Sequence, residues 1–172
     1  MQVVEYPSSI LREVSKEVTS FDDDLASFLD QMFDTMVEAE GIGLAAIQVA
    51  KPIRAFIISI VEDETQNAKD NLIEFINPKI VASNGSVHYQ EGCLSLPGFY
   101  EEIERHEEIE LSYQDRFGSS QAIKATGLLS IAIQHELDHL NGVLFVDKLP
   151  FMRRKKFEKE FKKLKKSKKN RS

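Results

Sequence analysis

Two imidazoles four residues apart, His135 and His139, with the carboxylate of Glu136 between them, are the side chains of this chain best placed to do chemistry. On a helix, positions i and i+4 share a face, so both rings can reach one metal ion. A glutamate on the same turn can then accept a proton from a water activated by that ion. This is the pattern of a hydrolytic site. Histidine occurs only at positions 88, 106, 135 and 139, so a chance pair at this spacing would be rare. Leu128, Leu129, Ile131, Ala132 and Ile133 lead into the motif, and Leu140-Asn141-Gly142 closes it. The run reads as a buried helix of about four turns. The bland alternative is a solvent-facing helix with two surface histidines. Buried imidazoles need partners, and a metal provides one.

A metal held by two histidines needs at least one further protein ligand, with a position left open for water. Cys93 is the single cysteine, in Glu91-Gly92-Cys93-Leu94-Ser95. It cannot form an internal disulfide, and the chain opens without an apolar h-region, so a reducing cytoplasm is expected. A lone cysteine is often only a small buried hydrophobe, but Gly92 beside it allows a close backbone approach. His88 is the rival third ligand. In an uninterrupted strand its odd spacing from Cys93 puts the two on opposite faces, so Cys93 is preferred. A third segment, Gly41-Ile42-Gly43-Leu44-Ala45-Ala46-Ile47-Gln48, is small and uncharged. Its glycines would let a peptide come near, and Gln48 offers an amide N–H to an acyl oxygen.

Taken together, GIGLAAIQ from Gly41, EGCLS from Glu91 and QHELDH from Gln134 resemble, in order and separation, the three motifs of the peptide deformylases. Further matches run through most of the first 148 residues, among them Tyr6-Pro7, Ile76-Asn77-Pro78 and Asp115-Arg116-Phe117-Gly118. The resemblance implies that Cys93, His135 and His139 hold the metal. It also implies Fe(II), with nickel, cobalt or zinc as substitutes, whereas the donor set alone suits zinc. The implied reaction removes the formyl group from N-formylmethionyl nascent polypeptides and releases formate. Glu136 would be general base and then acid, with the Gln48 side chain and the Leu94 backbone N–H stabilising the oxyanion. Leu128, Ile131 and Ala132, with Ile42 nearby, would line the methionine pocket, and the peptide would run beside Ile42, Gly43 and Gly92. Glu91 and Arg105 would form an ion pair bracing the cysteine loop. Three positions depart from the family pattern: Ile47 replaces Pro or Thr, Ser130 replaces Ala, and Tyr100 stands where some relatives carry Arg near the substrate's main chain. They bear on affinity rather than on reaction type.

The supporting elements are those of one domain: 172 residues with 42% hydrophobic side chains suffice for a single core. Mean hydropathy is -0.29, and no apolar run is long enough to span a bilayer, so no membrane partner is expected. Leu25, Phe28, Leu29, Met32, Phe33 and Met36 recur at helical spacing and predict a core-packing helix from about Asp22 to Glu40. Strands are expected over Ile53 to Val61, Phe75 to Ala82, Glu107 to Tyr113 and Gln121 to Thr126. The acidic stretch from Tyr100 to Glu108 reads as a solvated strand or loop edge. The expected fold is α+β, with mostly antiparallel sheets packed around a central metal-binding helix, an N-terminal helix and a C-terminal basic helix. Residues 1–150 would form the catalytic domain and 151–172 a basic helical extension of it, in a monomer.

Charge is separated along the chain. Residues 152–172 hold twelve Lys or Arg against Glu158 and Glu160, whereas the rest carries ten basic and 26 acidic residues. Phe157, Phe161 and Leu164 form an i, i+4, i+7 stripe that predicts a helix docked on the acidic body. The functional counterpart is a tether to ribosomal RNA or protein near the exit tunnel, as some bacterial relatives use such a helix. Two other classes share parts of the pattern. HExxH also marks metallopeptidases with a different third ligand, but Cys93 and the Gln48 segment count against that. A non-catalytic RNA-binding protein could keep a metal for stability, but would need neither Glu136 nor Gln48.

Overall fold

A computed structural model describes residues 1–171. Helix α1, Asp23–Glu38, starts where the Asp22 carboxylate accepts the Leu25 N–H at 3.0 Å. It buries Leu25, Phe28, Leu29, Met32 and Met36, the face its spacing predicted. The helix ends two residues before the expected Glu40. That residue turns into the left-handed region (φ 56°), and the Gly41 N–H reaches back to the Met36 carbonyl at 2.9 Å.

Seven strands follow: β1 Gly43–Ala45, β2 Ala55–Ser59, β3 Leu72–Asn84, β4 Val87–Cys93, β5 Leu96–Arg105, β6 Glu108–Gln114 and β7 Ser120–Thr126. Five of them make one antiparallel sheet in the order β1-β2-β3-β6-β7, and β4 and β5 form a separate antiparallel hairpin. The segment expected at Ile53 to Val61 is shorter, and that at Phe75 to Ala82 longer at both ends. Three strands lie outside the four expected: β1, β4 and β5, the last overlapping the acidic stretch from Tyr100 that reads as a solvated strand or loop edge. β1 is only three residues long, and β5 faces Glu102 and Glu104 outward while burying Ile103 and Arg105.

Helix α2, Gly127–Leu140, carries the histidine motif and packs against the sheet through Ala132, Ile133 and Leu140. Phe56 and Phe75 stack in the same cluster with ring centroids 4.9 Å apart. Each such ring contributes roughly 1.5–3 kcal/mol of burial. Ile47 is fully buried here, so an apolar residue at that position fills core. Helix α3, Phe151–Lys169, docks through Phe157 and Phe161 onto Tyr6 and Phe99, with centroid separations of 4.7–5.7 Å for Tyr6–Phe157, Tyr6–Phe161 and Phe99–Phe157. Leu164 is 41% exposed, so the expected three-residue stripe docks through its first two members only. No helix among the described residues is long and apolar enough to cross a membrane.

Candidate active site

Three separate elements bring the predicted residues together. The α2 helix supplies His135, Glu136 and His139, the end of β4 supplies Cys93, and the 3-10 turn Ala46–Val49 after β1 supplies Gln48. One ligand atom each from Cys93, His135 and His139 fall within 4.8 Å of one another, and Cys93 Sγ lies 3.3 Å from His139 Nε2. His88 stays outside this group. It is exposed, with Nδ1 3.7 Å from Glu102 Oε1.

A buried polar chain holds the ligands in orientation. His135 Nδ1 meets Glu91 Oε1 at 2.8 Å, which leaves its Nε2 for another partner. Arg105 donates from Nε to Glu91 Oε2 and from Nη2 to Glu91 Oε1, both at 2.8 Å, and from Nη1 to Asp138 Oδ2 at 2.6 Å. The ion pair anticipated between Glu91 and Arg105 is therefore present and bidentate. Burial alone would raise the Glu91 pKa, but Arg105 and His135 outweigh it and hold the carboxyl below its ordinary value. Asp138 and Gln134 belong to the QHELDH motif, but their parts come from tertiary contacts. Gln134 exchanges hydrogen bonds with the His106 backbone at 2.9 and 3.0 Å, pinning the β5–β6 turn to α2. Ser130 donates to the His106 carbonyl at 3.1 Å and accepts from Gln134 Nε2 at 3.0 Å, so a hydroxyl there is used.

The two histidines differ in their electrostatic surroundings. Burial opposes charge on His135, yet Cys93, Glu91 and Glu136 raise its pKa well above the usual imidazole range. Burial together with charge at His135 drives His139 well below it. The two rings are thus driven in opposite directions, and a neutral imidazole, the direction taken by His139, is the form that ligates metals. A sulfur and two imidazoles are a fitting donor set for a divalent transition metal. The buried Glu136 Oε2 and His139 Nδ1 have no hydrogen-bond partner among the described residues.

Glu136 is 5% exposed, and burial, followed by the opposing effect of His135, leaves its pKa raised to about 7. Gly43 makes room for it: a Cβ there would stand 2.7 Å from Glu136 Oε1. Gln48 is oriented by its own turn. Its Oε1 accepts the Ala45 N–H at 2.9 Å, which aims Nε2 at Ser95 Oγ (3.1 Å) and Cys93 Sγ (3.5 Å). Ser95, fully buried, was quoted in the EGCLS motif without a part to play, and the Gln48 contact gives it one. A cavity of about 490 Å³ opens beside these groups, lined by all six residues expected to meet substrate: Ile42, Gly43, Gly92, Leu128, Ile131 and Ala132. Leu94, in the β4–β5 turn, lines it too, with its side chain against Gly41.

An α+β fold whose central helix sets two histidines beside a cysteine, with His135 and Glu136 at the wall of a cavity, defines a class of hydrolytic enzymes with a candidate metal site. Known proteins narrow the class. A family model described as polypeptide deformylase matches residues 1–155. The peptide deformylase of Helicobacter pylori strain J99 is 54% identical over 170 residues, covering 99% of this chain and 98% of its own. Among solved structures, a peptide deformylase from Legionella pneumophila superposes with TM-score 0.87 at 39% identity, covering 97% of this chain and 96% of its own. One from Plasmodium falciparum gives 0.89 at 38%, covering 98% of each. The chain belongs to the peptide deformylase family and is an enzyme of it. Membership removes the metallopeptidase and the non-catalytic readings of the HELDH motif.

Proposed function

We propose that the protein hydrolyses the N-formyl group of formylmethionyl ends on newly made polypeptides, releasing formate and a free amine. The observation that carries this reading is the buried Glu136 carboxylate beside the Cys93, His135 and His139 donor set, at the wall of a cavity of small-ligand size. A divalent ion bound by those three residues, Fe(II) by family resemblance with nickel, cobalt or zinc as substitutes, would acidify water and polarise the formyl carbonyl.

The chain's own residues account for the rest. Leu128, Ile131 and Ala132 would receive the methionine side chain, and the peptide backbone would lie beside Ile42, Gly43 and Gly92 as an added strand. Glu136 would take one proton from the attacking water as its oxygen adds to the formyl carbon. The Gln48 Nε2–H and the Leu94 backbone N–H would donate to the resulting oxyanion. One such donor is typically worth about 2.7–4 kcal/mol. Glu136 would then pass its proton to the amine nitrogen as the C–N bond breaks. Its raised pKa, about 7, suits a group that must both accept and return a proton near neutral pH. Residues 1–150 would carry the reaction, with 151–172 a basic extension of the same domain.

The test is formate release from a formyl-Met-Ala-Ser peptide by anaerobically purified protein whose bound metal is quantified. Release proportional to iron supports both reaction and metal. None from iron-, nickel- or cobalt-loaded protein rejects the reading.

The face of α3 away from Phe157 and Phe161 supports a second proposal, a tether to ribosomal RNA. Its lysines and arginines project from a helix anchored by those two rings and by the Arg153–Glu101 pair. Anionic backbone is the partner such a surface fits, and salt should weaken the contact.

A further inference from the structure

The two donors proposed for the oxyanion come from different parts of the chain. Gln48 sits in the 3-10 turn after β1, and Leu94 in the turn between β4 and β5. Their joint aim matters, because a donor stabilises an oxyanion only from about 2.7–3.1 Å away. The Gln48 and Ser95 side chains meet at 3.1 Å, but among the described residues no backbone hydrogen bond joins the two turns directly. The N-terminal segment bonds to both. The Val4 N–H donates to the Gln48 carbonyl at 2.7 Å, and the Tyr6 N–H, two residues on, donates to the Ser95 carbonyl at 2.8 Å.

Two hydrogen bonds hold these turns only if the segment that makes them is itself held. Tyr6 supplies the anchor. Its ring packs edge-on against Phe161 with centroids 4.7 Å apart, and lies 5.7 Å from Phe157. Both phenylalanines belong to α3, and the same apolar cluster takes in Val4, Cys93 and Leu96. Ring packing at Tyr6 therefore reaches the oxyanion donors through one hydrogen bond on each side.

We propose that Tyr6 is a positioning residue: its ring, seated on α3, fixes the N-terminal segment so that Gln48 and Leu94 aim at one oxyanion position. The proposal rests on the deformylase reading for the part played by those two donors. A residue that only packs the fold would affect stability, and its loss would weigh equally whether or not Gln48 is present. A positioning residue loses its effect once one of the two donors is gone.

The experiment measures kcat and KM for formyl-Met-Ala-Ser with Tyr6→Ala and Tyr6→Phe, each alone and in a Gln48→Ala background. Metal content is matched and urea midpoints are recorded. Removing a donor costs about 100- to 1,000-fold in kcat, and a misplacement of about 1 Å on the order of 100-fold. Tyr6→Ala should accordingly lower kcat by about tenfold to 100-fold and leave KM within about twofold. Tyr6→Phe keeps the ring and should keep kcat. In the Gln48→Ala background, Tyr6→Ala should change the residual kcat by less than about threefold. An equal loss in both backgrounds, or a change confined to KM, would overturn the proposal. In parallel, NMR follows hydrogen exchange of the Gln48 side-chain amide in zinc-loaded protein, its signal identified by absence in Gln48→Ala. Gln48 is 1% exposed, so the amide should exchange slowly in the parent and on the order of tenfold faster in Tyr6→Ala, but not in Tyr6→Phe. Unchanged exchange in Tyr6→Ala would also overturn the proposal. Absence of formate release from the unmodified protein would instead reject the deformylase reading, and the exchange comparison would still decide whether Tyr6 holds Gln48. Should Tyr6→Ala not fold, Phe161→Ala, which removes one of the two rings facing Tyr6, carries the same comparisons.

Discussion

Gly43→Ala adds one carbon, and the structure predicts that it disables the enzyme without unfolding it. The new Cβ would stand 2.7 Å from Glu136 Oε1 and 3.2 Å from the carboxyl carbon and Cγ. An ordinary nonbonded separation is roughly 3.5 Å, so the carboxylate must retreat by about 0.8 Å. The β1 backbone at Gly43 is paired with Ile58 and needs no left-handed conformation, so alanine fits the strand itself. Restricting the unfolded chain contributes about 0.4–1 kcal/mol of stability, against a steric cost of about 1–3 kcal/mol. The net change in unfolding free energy should stay within about 3 kcal/mol. A catalytic group misplaced by about 1 Å can cost on the order of 100-fold in rate, equivalent to about 2.7 kcal/mol of barrier. The assay is formate release at saturating formyl-Met-Ala-Ser, with metal content matched and urea midpoints recorded. A companion measurement places Gly43→Ala in a Glu136→Ala background, where neither the clash nor the displaced base exists. There the second substitution should change the residual rate less than about twofold. Wild-type kcat in the single variant, or a hundredfold loss persisting in the double variant, would refute the reasoning.

Three further outcomes follow from the same contacts. Arg105→Met leaves Glu91 and Asp138 without their shared partner and should cost about 3–5 kcal/mol in urea unfolding, because Arg105 and Glu91 side chains are only 3% and 4% exposed. If the proposed site holds a metal, Cys93→Ser replaces its sulfur donor with a hydroxyl, so divalent transition metal retained after dialysis should fall by about tenfold or more. Chelation should lower the melting temperature of the parent protein more than that of the variant. Truncation after Leu164 keeps Phe157 and Phe161 but removes Lys165, Lys166, Lys168, Lys169 and Arg171. Ribosome cosedimentation should weaken, and its log–log salt slope should flatten by roughly 0.7–0.9 per lost phosphate contact. Unchanged, salt-insensitive binding would dismiss the tether.

What could be read along the chain was whatever repeats over a few residues. The spacing of Leu25, Phe28, Leu29, Met32 and Met36 located α1 to within two residues, because a helical face is a local property. The four-residue step from His135 to His139 likewise put both rings on one side of α2. Alternation predicted β6 and β7 closely, since each buries one face. It left β5 only as a solvated strand or loop edge from Tyr100, because glutamates occupy the outward positions and the inward ones include a charged residue, Arg105. Arginine in a core is invisible to a hydrophobic pattern. It is tolerated there only because two carboxylates from other elements meet it.

The sequence by itself determined the family and singled out the candidate groups: a thiol, two imidazoles, a glutamate and an amide, in three short motifs. Only the tertiary structure decided how they are held. Glu91 and His135 are 44 positions apart in the chain, yet 2.8 Å apart in space, and that contact sets which imidazole nitrogen faces the site. Gly43 is small because Glu136 comes from another element to within 2.7 Å of its missing Cβ, and Gly92 because Tyr100 lies over it. Leu164 continues the helical stripe of α3 but is left 41% exposed, outside the cluster that takes in Phe157 and Phe161. Each of these depends on long-range packing, in which the partner's identity is fixed by the path of the whole chain rather than by the neighbours in sequence.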